Sequence, residues 1–216
     1  PDNEGRQRLV ATYSKIKPPL TAYEKGLCVW NEDEGRFEKF RELWTHSEPH
    51  PEPPPVPAGH PVMWTDSQGE QWVLFGDPFP ALKCRASFED WQDSSGWEHL
   101  TPQPMVPSKD GELKVKPHRG AIAWSPYRGK WVTVFTQLFG DRSALGEIWY
   151  AEARSPLGPW NRCVQVLTHR RYSFYNPKQH PYFAKENGRV VFFEGTYTRM
   201  FSGTAVSTPR YDYNQI

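Results

Sequence analysis

The sequence predicts an all-β protein built from repeated antiparallel sheets, and its composition is the first reason. Proline accounts for 22 of the 216 residues, well above the usual ~5% share, and proline breaks helix interiors. The chain also contains 10 Trp, 10 Tyr and 12 Phe, whereas disordered chains are poor in aromatic residues. We therefore expect a folded chain with an aromatic core and without long helices.

An internal repeat is the second reason for this prediction. Similar blocks begin at His60, His118 and His180, which are 58 and 62 residues apart. Each block is an apolar run, a polar turn with glycine and a second apolar run, the pattern of a β-hairpin. Two more strand-like runs follow each hairpin. A unit of four antiparallel strands that repeats along the chain is the blade of a β-propeller.

The repeat predicts a single β-propeller domain with about four visible blades. The blade segments are approximately 7–45, 58–103, 116–168 and 175–216. The first segment offers only three strands, so its innermost strand is missing. Because a propeller closes on itself to remove exposed sheet edges, we expect the chain to be a fragment of a propeller with five or more blades. The alternative is an unusual ring of four blades.

The candidate site follows from the positions that the repeats share. The three histidines open the predicted innermost strands, and propeller geometry would bring strand ends together around a central channel. Imidazole titrates near neutral pH, and paired carboxylates perform acid–base chemistry on glycosidic bonds. We predict as catalytic groups Asp77, Glu194 and His180. We predict as substrate-binding groups His60, His118, Arg119, Gln137, Tyr175 and Asn176. Alternatively, each histidine is structural and caps its strand.

A metal ion in the channel is a further alternative. Three imidazoles, completed by Asp77 or Glu194, would suit one divalent cation. A five-bladed channel would, however, separate equivalent residues on neighbouring blades. Our main expectation is therefore a site without any cofactor or metal.

Part of the sequence resembles known glycosidases. The segment Ile148–Trp160 (Ile-Trp-Tyr-Ala-Glu-Ala-Arg-Ser-Pro-Leu-Gly-Pro-Trp) resembles the outer hairpin of five-bladed propeller glycosidases of the arabinanase, xylosidase and invertase-like types. Residues 175–181 and 188–193 are similar to a bacterial family of five-bladed propeller domains, some of which cleave arabinan. The resemblance covers roughly residues 58–200 and implies a carbohydrate-active protein that is extracellular or periplasmic. Those glycosidases carry carboxylates on their innermost strands, where this sequence has histidines.

Three functions remain open from the sequence. The first is a glycoside hydrolase that uses Asp77 and Glu194 as acid and base. The second is a polysaccharide lyase with a histidine base, Tyr175 as the acid, and Arg119 neutralising a uronate. The third is a non-catalytic propeller that binds a glycan or a protein. Two carboxyl groups about 5–9.5 Å apart would favour hydrolysis, and a His–Tyr–Arg triangle without such a pair would favour elimination.

Charge and hydropathy narrow the range of partners. The formal net charge of +1 does not provide the basic surface that nucleic-acid binding requires. No apolar run approaches the roughly 20 residues that a membrane-spanning helix needs. We expect a carbohydrate partner, and neither nucleic acid nor a membrane.

Overall fold

The computed structural model confirms the all-β prediction: the chain forms small antiparallel sheets joined by turns and short helical segments. The structure describes residues 1–141, 144–169, 172–200, 202–203 and 214–215. The strands predicted over 201–208 and 211–216 therefore lie largely outside the described residues. Within the described part, no helix has the length and apolar character needed to cross a membrane.

The chain divides into two compact units, and the first comprises residues 1–75 and 82–100. One sheet has the order β1-β2-β3, with β1 Val10–Lys17, β2 Thr21–Asn31 and β3 Arg36–Thr45. The other has the order β4-β5-β6-β7, with β4 His60–Thr65, β5 Gln71–Gly76, β6 Pro80–Arg85 and β7 Glu98–His99. Helix α1 (Phe88–Gln92) precedes β7. The core of this unit contains Leu27, Phe75, Leu82, Cys84, Trp91 and Trp97.

The second unit comprises residues 76–81 and 101–216. A short ribbon pairs β8 (Val106–Pro107) with β9 (Lys114–Val115). A four-stranded meander follows in the order β10-β11-β12-β13, with β10 Pro117–Ser125, β11 Lys130–Gln137, β12 Glu147–Ala153 and β13 Asn161–Thr168. The last sheet has the order β14-β15-β16, with β14 Ser173–Gln179, β15 Phe193–Thr198 and β16 Asn214–Gln215.

The β10–β13 meander is the sheet that positions the candidate site. Antiparallel pairing joins each strand to the next in sequence, which is the up-and-down topology of a propeller blade. Its strands are rich in β-branched and aromatic residues, which suits a sheet buried on its faces. Val134 and Ile148 of the meander pack with Phe174 of β14 in one core cluster.

The structure differs from the sequence-based prediction at the third repeat block. We expected a strand to begin at His180, but β14 ends at Gln179, and two short 3₁₀ turns precede β15. The Gln179 amide donates hydrogen bonds to the carbonyl oxygens of Ala121 (2.8 Å) and Val132 (3.4 Å). Pro181 has no N–H and suits the first position of a turn. His180 therefore follows the end of β14, whereas His118 is the second residue of β10.

Candidate functional site

An ion pair marks the start of β10. Asp77 accepts a hydrogen bond from Arg119 Nη1 through Oδ2 (2.7 Å), and another from the Gly120 main-chain N–H through Oδ1 (2.7 Å). The Arg119 main-chain N–H also donates to the Thr136 hydroxyl (3.2 Å). The Asp77 carboxylate thus fixes the position of the Arg119 side chain relative to the backbone at Gly120.

Tyr175 and His118 complete this group. The pKa of Arg119 is raised, mainly by its hydrogen bond to Asp77. Burial acts in the opposite direction, and Tyr175 raises the pKa further through its charge and a hydrogen bond. The rings of His118 and Tyr175 lie 6.0 Å apart between centroids. We call Asp77, His118, Arg119 and Tyr175 the Arg119 site.

The surroundings of His118 favour the neutral form of its imidazole. Desolvation by burial lowers its pKa, and the charge of Arg119 lowers it further, whereas Asp77 opposes the shift. Its Nδ1 atom is buried and has no hydrogen-bond partner among the described residues. Because Nδ1 is inaccessible, Nε2 is the ring nitrogen that can meet a ligand.

Gln137 and Glu147 lie at the same end of the meander. Gln137, the last residue of β11, pairs with Pro117, and its side-chain oxygen accepts from the indole N–H of Trp149 at 2.8 Å. Glu147 begins β12 and is only 1% exposed. Its carboxylate lies against Gly140, in the loop that joins β11 to β12. Glu147 is the carboxylate near this site that sequence reasoning missed.

His180 and Glu194 form a separate pair. His180 Nε2 lies 3.2 Å from Glu194 Oε1, and its Nδ1 is 2.5 Å from the Tyr182 hydroxyl. Glu194 is the second residue of β15, at the end where that strand pairs with Lys178. His180 is five residues beyond Tyr175, which corresponds to roughly 15 Å of extended chain.

The predicted site residues are therefore only partly brought together. Asp77, His118, Arg119 and Tyr175 are in contact through the interactions above, and Gln137 ends the strand paired with β10. His180 and Glu194 do not join them, and Asn176 is an exposed residue at φ 50° in the bulge of β14. His60 begins β4 in the first unit. The catalytic and binding roles assigned to these residues stay predictions.

The described residues contain no group of three or more His, Cys, Asp or Glu side chains arranged to hold a metal ion. A shared ion was the alternative for the histidines, and of these His118 lies near the start of β10 whereas His180 follows the end of β14. The residues of the Arg119 site instead suit an organic ligand, because they offer a guanidinium, a phenol and a neutral imidazole.

Comparison with known proteins gives matches among solved structures alone. No family model and no curated protein matches the sequence. A family 43 glycoside hydrolase, the YxiA protein of Bacillus licheniformis, aligns with 99% of this chain and 53% of its own, at 12% identity and a TM-score of 0.47. An endo-1,5-alpha-L-arabinanase from Thermotoga petrophila RKU-1 aligns with the same shares at 12% identity and a TM-score of 0.46. The chain spans about half the length of these two proteins.

Proposed function

We propose that this chain is a carbohydrate-binding β-propeller domain and that the Arg119 site is its glycan site. The observation that carries the proposal is the state of Arg119. Asp77 holds the guanidinium at 2.7 Å, yet 45% of the arginine side chain is exposed. The guanidinium is therefore oriented in advance and still has N–H groups for a ligand.

The chemistry of the neighbouring side chains suits a sugar. A planar guanidinium presents a fork of donors that matches a carboxylate or two adjacent oxygens. The ring of Tyr175 offers an apolar face next to a hydroxyl. A neutral imidazole at His118 offers its Nε2 atom as either a donor or an acceptor, according to the tautomer. A uronate combines a carboxylate with ring hydroxyls, so acidic sugars fit this set best.

The geometry supports binding more than hydrolysis by the predicted carboxylate pair. Both oxygens of Asp77 accept hydrogen bonds, from Arg119 and from Gly120. A carboxylate used in this way positions its partners and is poorly placed to exchange a proton. Glu194 pairs with His180, which follows β14, and within the described residues no contact joins it to Asp77.

A second candidate function is β-elimination on a uronate polymer, and the contact of His118, Tyr175 and Arg119 favours it. Arg119 would neutralise the uronate carboxylate, and neutral His118 would accept the C5 proton through Nε2. The C5–H electron pair would form the C4=C5 double bond as the C4–O4 bond breaks. Tyr175 would donate its proton to the leaving O4, so atoms and charge balance.

Calorimetric titration tests the binding proposal. Oligogalacturonates, arabino-oligosaccharides and xylo-oligosaccharides of equal length are compared on the wild-type chain and on Arg119→Gln. We expect a preference for the uronate and at least a tenfold weaker Kd in Arg119→Gln, because charge-assisted hydrogen bonds are lost. The matched control is Lys178→Gln, an exposed cation on β14 outside the site.

Equal affinity of wild type and Arg119→Gln for every sugar would overturn the binding proposal. The same samples test elimination through the ultraviolet absorbance of the unsaturated product. Production of that absorbance, abolished by both His118→Gln and Tyr175→Phe, supports the lyase. Binding without absorbance change rejects the lyase and leaves the non-catalytic function.

A further inference from the structure

A groove of about 530 Å³ lies in the second unit, at the other end of the β10–β13 meander from the Arg119 site. Arg128 lies in the turn between β10 and β11 and Lys130 begins β11, whereas Arg119 is near the start of β10. We call this feature the basic groove. Its charged lining residues are Lys109, Arg128, Lys130, Arg154, Arg162 and Glu152.

The single carboxylate that lines the basic groove belongs to Glu152, and its charge is balanced by neighbouring cations. Glu152 accepts hydrogen bonds from Arg128 Nε at 2.6 Å and Lys130 Nζ at 2.9 Å, and from the Tyr150 hydroxyl at 3.1 Å. Burial alone would raise the pKa of Glu152, but these three partners lower it to about 2. Glu152 stays ionised, and five cations face one anion in the groove.

A β-bulge directs an additional cation into the groove. The pairing of β12 with β13 shifts between Tyr150 and Glu152, and Arg162 lies there at φ 53°. Regular strand alternation would send Arg162 to the opposite face from Asn161, yet both line the groove. A left-handed backbone is unfavourable for a residue other than glycine, and strain of this kind is often kept at functional sites.

The first unit contains a cluster similar to the one around Glu152, and the comparison shows which features are particular to the basic groove. Glu24 accepts from the Tyr13 hydroxyl at 2.7 Å and from Lys15 Nζ at 2.9 Å, and it also pairs with Lys39. A glutamate between a tyrosine and two cations is thus an ordinary element of these sheets. The basic groove differs because it gathers three further cations: Lys109, Arg154 and Arg162.

We propose that the basic groove binds an acidic oligosaccharide, one whose sugars carry carboxylate or sulfate groups. Its volume lies within the roughly 300–1,000 Å³ of small-ligand sites. Single-stranded nucleic acid is less suited, because its binding relies on aromatic stacking platforms, and Tyr150 is the one aromatic residue that lines the groove. The site is separate from the Arg119 site, so the proposal goes beyond the proposed function and does not depend on it.

Calorimetric titration in an Arg119→Gln background measures the basic groove alone. The probes are tetragalacturonate, sulfated maltotetraose, neutral maltotetraose and a hexamer of thymidylate. We expect the two acidic sugars to bind and the neutral sugar not to bind. The affinity should fall steeply between 50 and 200 mM salt, as screening of charge–charge attraction requires. Whichever acidic sugar binds tighter identifies the anionic group.

Two substitutions assign the binding to the groove. Arg154 and Arg162 make no ion pair or side-chain hydrogen bond within the described residues, so Arg154→Gln and Arg162→Gln remove charge without breaking a contact. We expect each to weaken binding about fivefold and the pair at least twentyfold, with Lys178→Gln unchanged within twofold. If Arg162→Gln fails to fold, the pair Lys109→Gln and Arg154→Gln replaces it. The proposal would be overturned if neither acidic sugar binds or if the double variant keeps the wild-type affinity. Thymidylate binding as tight as that of the acidic sugars would also overturn it.

Discussion

The Arg119 site and the His180–Glu194 pair both combine a histidine with a carboxylate, but they are built differently. Asp77 is 20% exposed and accepts a hydrogen bond from the main chain of Gly120. Glu194 is 48% exposed, and within the described residues its side chain contacts the imidazole of His180. The first carboxylate is thus part of the strand framework, while the second is attached to it by a single side chain.

The comparison explains why a shared repeat position does not give two histidines the same surroundings. The two histidines occupy equivalent places in the sequence blocks, but His118 is the second residue of β10, whereas His180 follows the last residue of β14. An ion pair anchored to the backbone keeps a fixed geometry at little further entropic cost. A pair with an exposed partner, as Glu194 is at 48%, must order a mobile side chain and gains little, typically about 0–1 kcal/mol. We therefore expect stability and ligand binding to depend on the first cluster far more than on the second.

The largest loss in the free energy of unfolding is expected for Gly120→Ala. A Cβ there would overlap the carbonyl oxygen of Val134 and lie 2.7 Å from Phe135 Cα. Because both neighbours are backbone atoms, the strands must separate, and overpacking of this kind costs about 3 kcal/mol. Urea denaturation followed by tryptophan fluorescence measures the loss. Gly96→Ala is the control, since nothing lies within 4 Å of its Cβ position. Similar midpoints for the two variants would contradict the close approach at Gly120.

An intermediate effect is expected for Asp77→Ala. The substitution leaves the buried Gly120 N–H without its acceptor, at a cost of about 1–3 kcal/mol, and releases Arg119. Glu194→Ala is the matched comparison and should cost less than about 1 kcal/mol. Thermal and urea unfolding of both variants measure the two losses of stability. A loss from Glu194→Ala as large as that from Asp77→Ala would show that the two clusters contribute equally.

The smallest effect concerns pH and His118. Burial and Arg119 lower the pKa of His118 in the folded chain, so below about pH 6.5 the unfolded chain binds the proton more readily than the folded chain. His118 therefore destabilises the fold as pH falls from about 6.5 through its folded pKa, and is without this effect above pH 7. We expect the stability of wild type relative to His118→Gln to decrease between pH 7.5 and pH 5. A constant or rising difference would mean that His118 is not desolvated.

The sequence alone determined the class of fold and the nature of its strands. Proline content and the hairpin blocks predicted an antiparallel all-β chain, because both act locally on the backbone. The same local logic placed His118 and Arg119 at the start of a strand and Asp77 directly after one. The sequence predicted that Arg119 and Asp77 belong to one site, but it did not predict their ion pair. That contact joins residues 42 positions apart.

Tertiary structure decided where the third repeat block forms its strand and which polar groups are buried. Gln179 ends β14 against the carbonyl oxygens of Ala121 and Val132, so His180 falls outside the strand that its sequence block predicted. Glu147 is buried against Gly140 of the loop before its strand, and a one-residue bulge turns Arg162 into the basic groove. These outcomes depend on register and long-range hydrogen bonds, and a shift of one residue moves a side chain to the other face of a sheet.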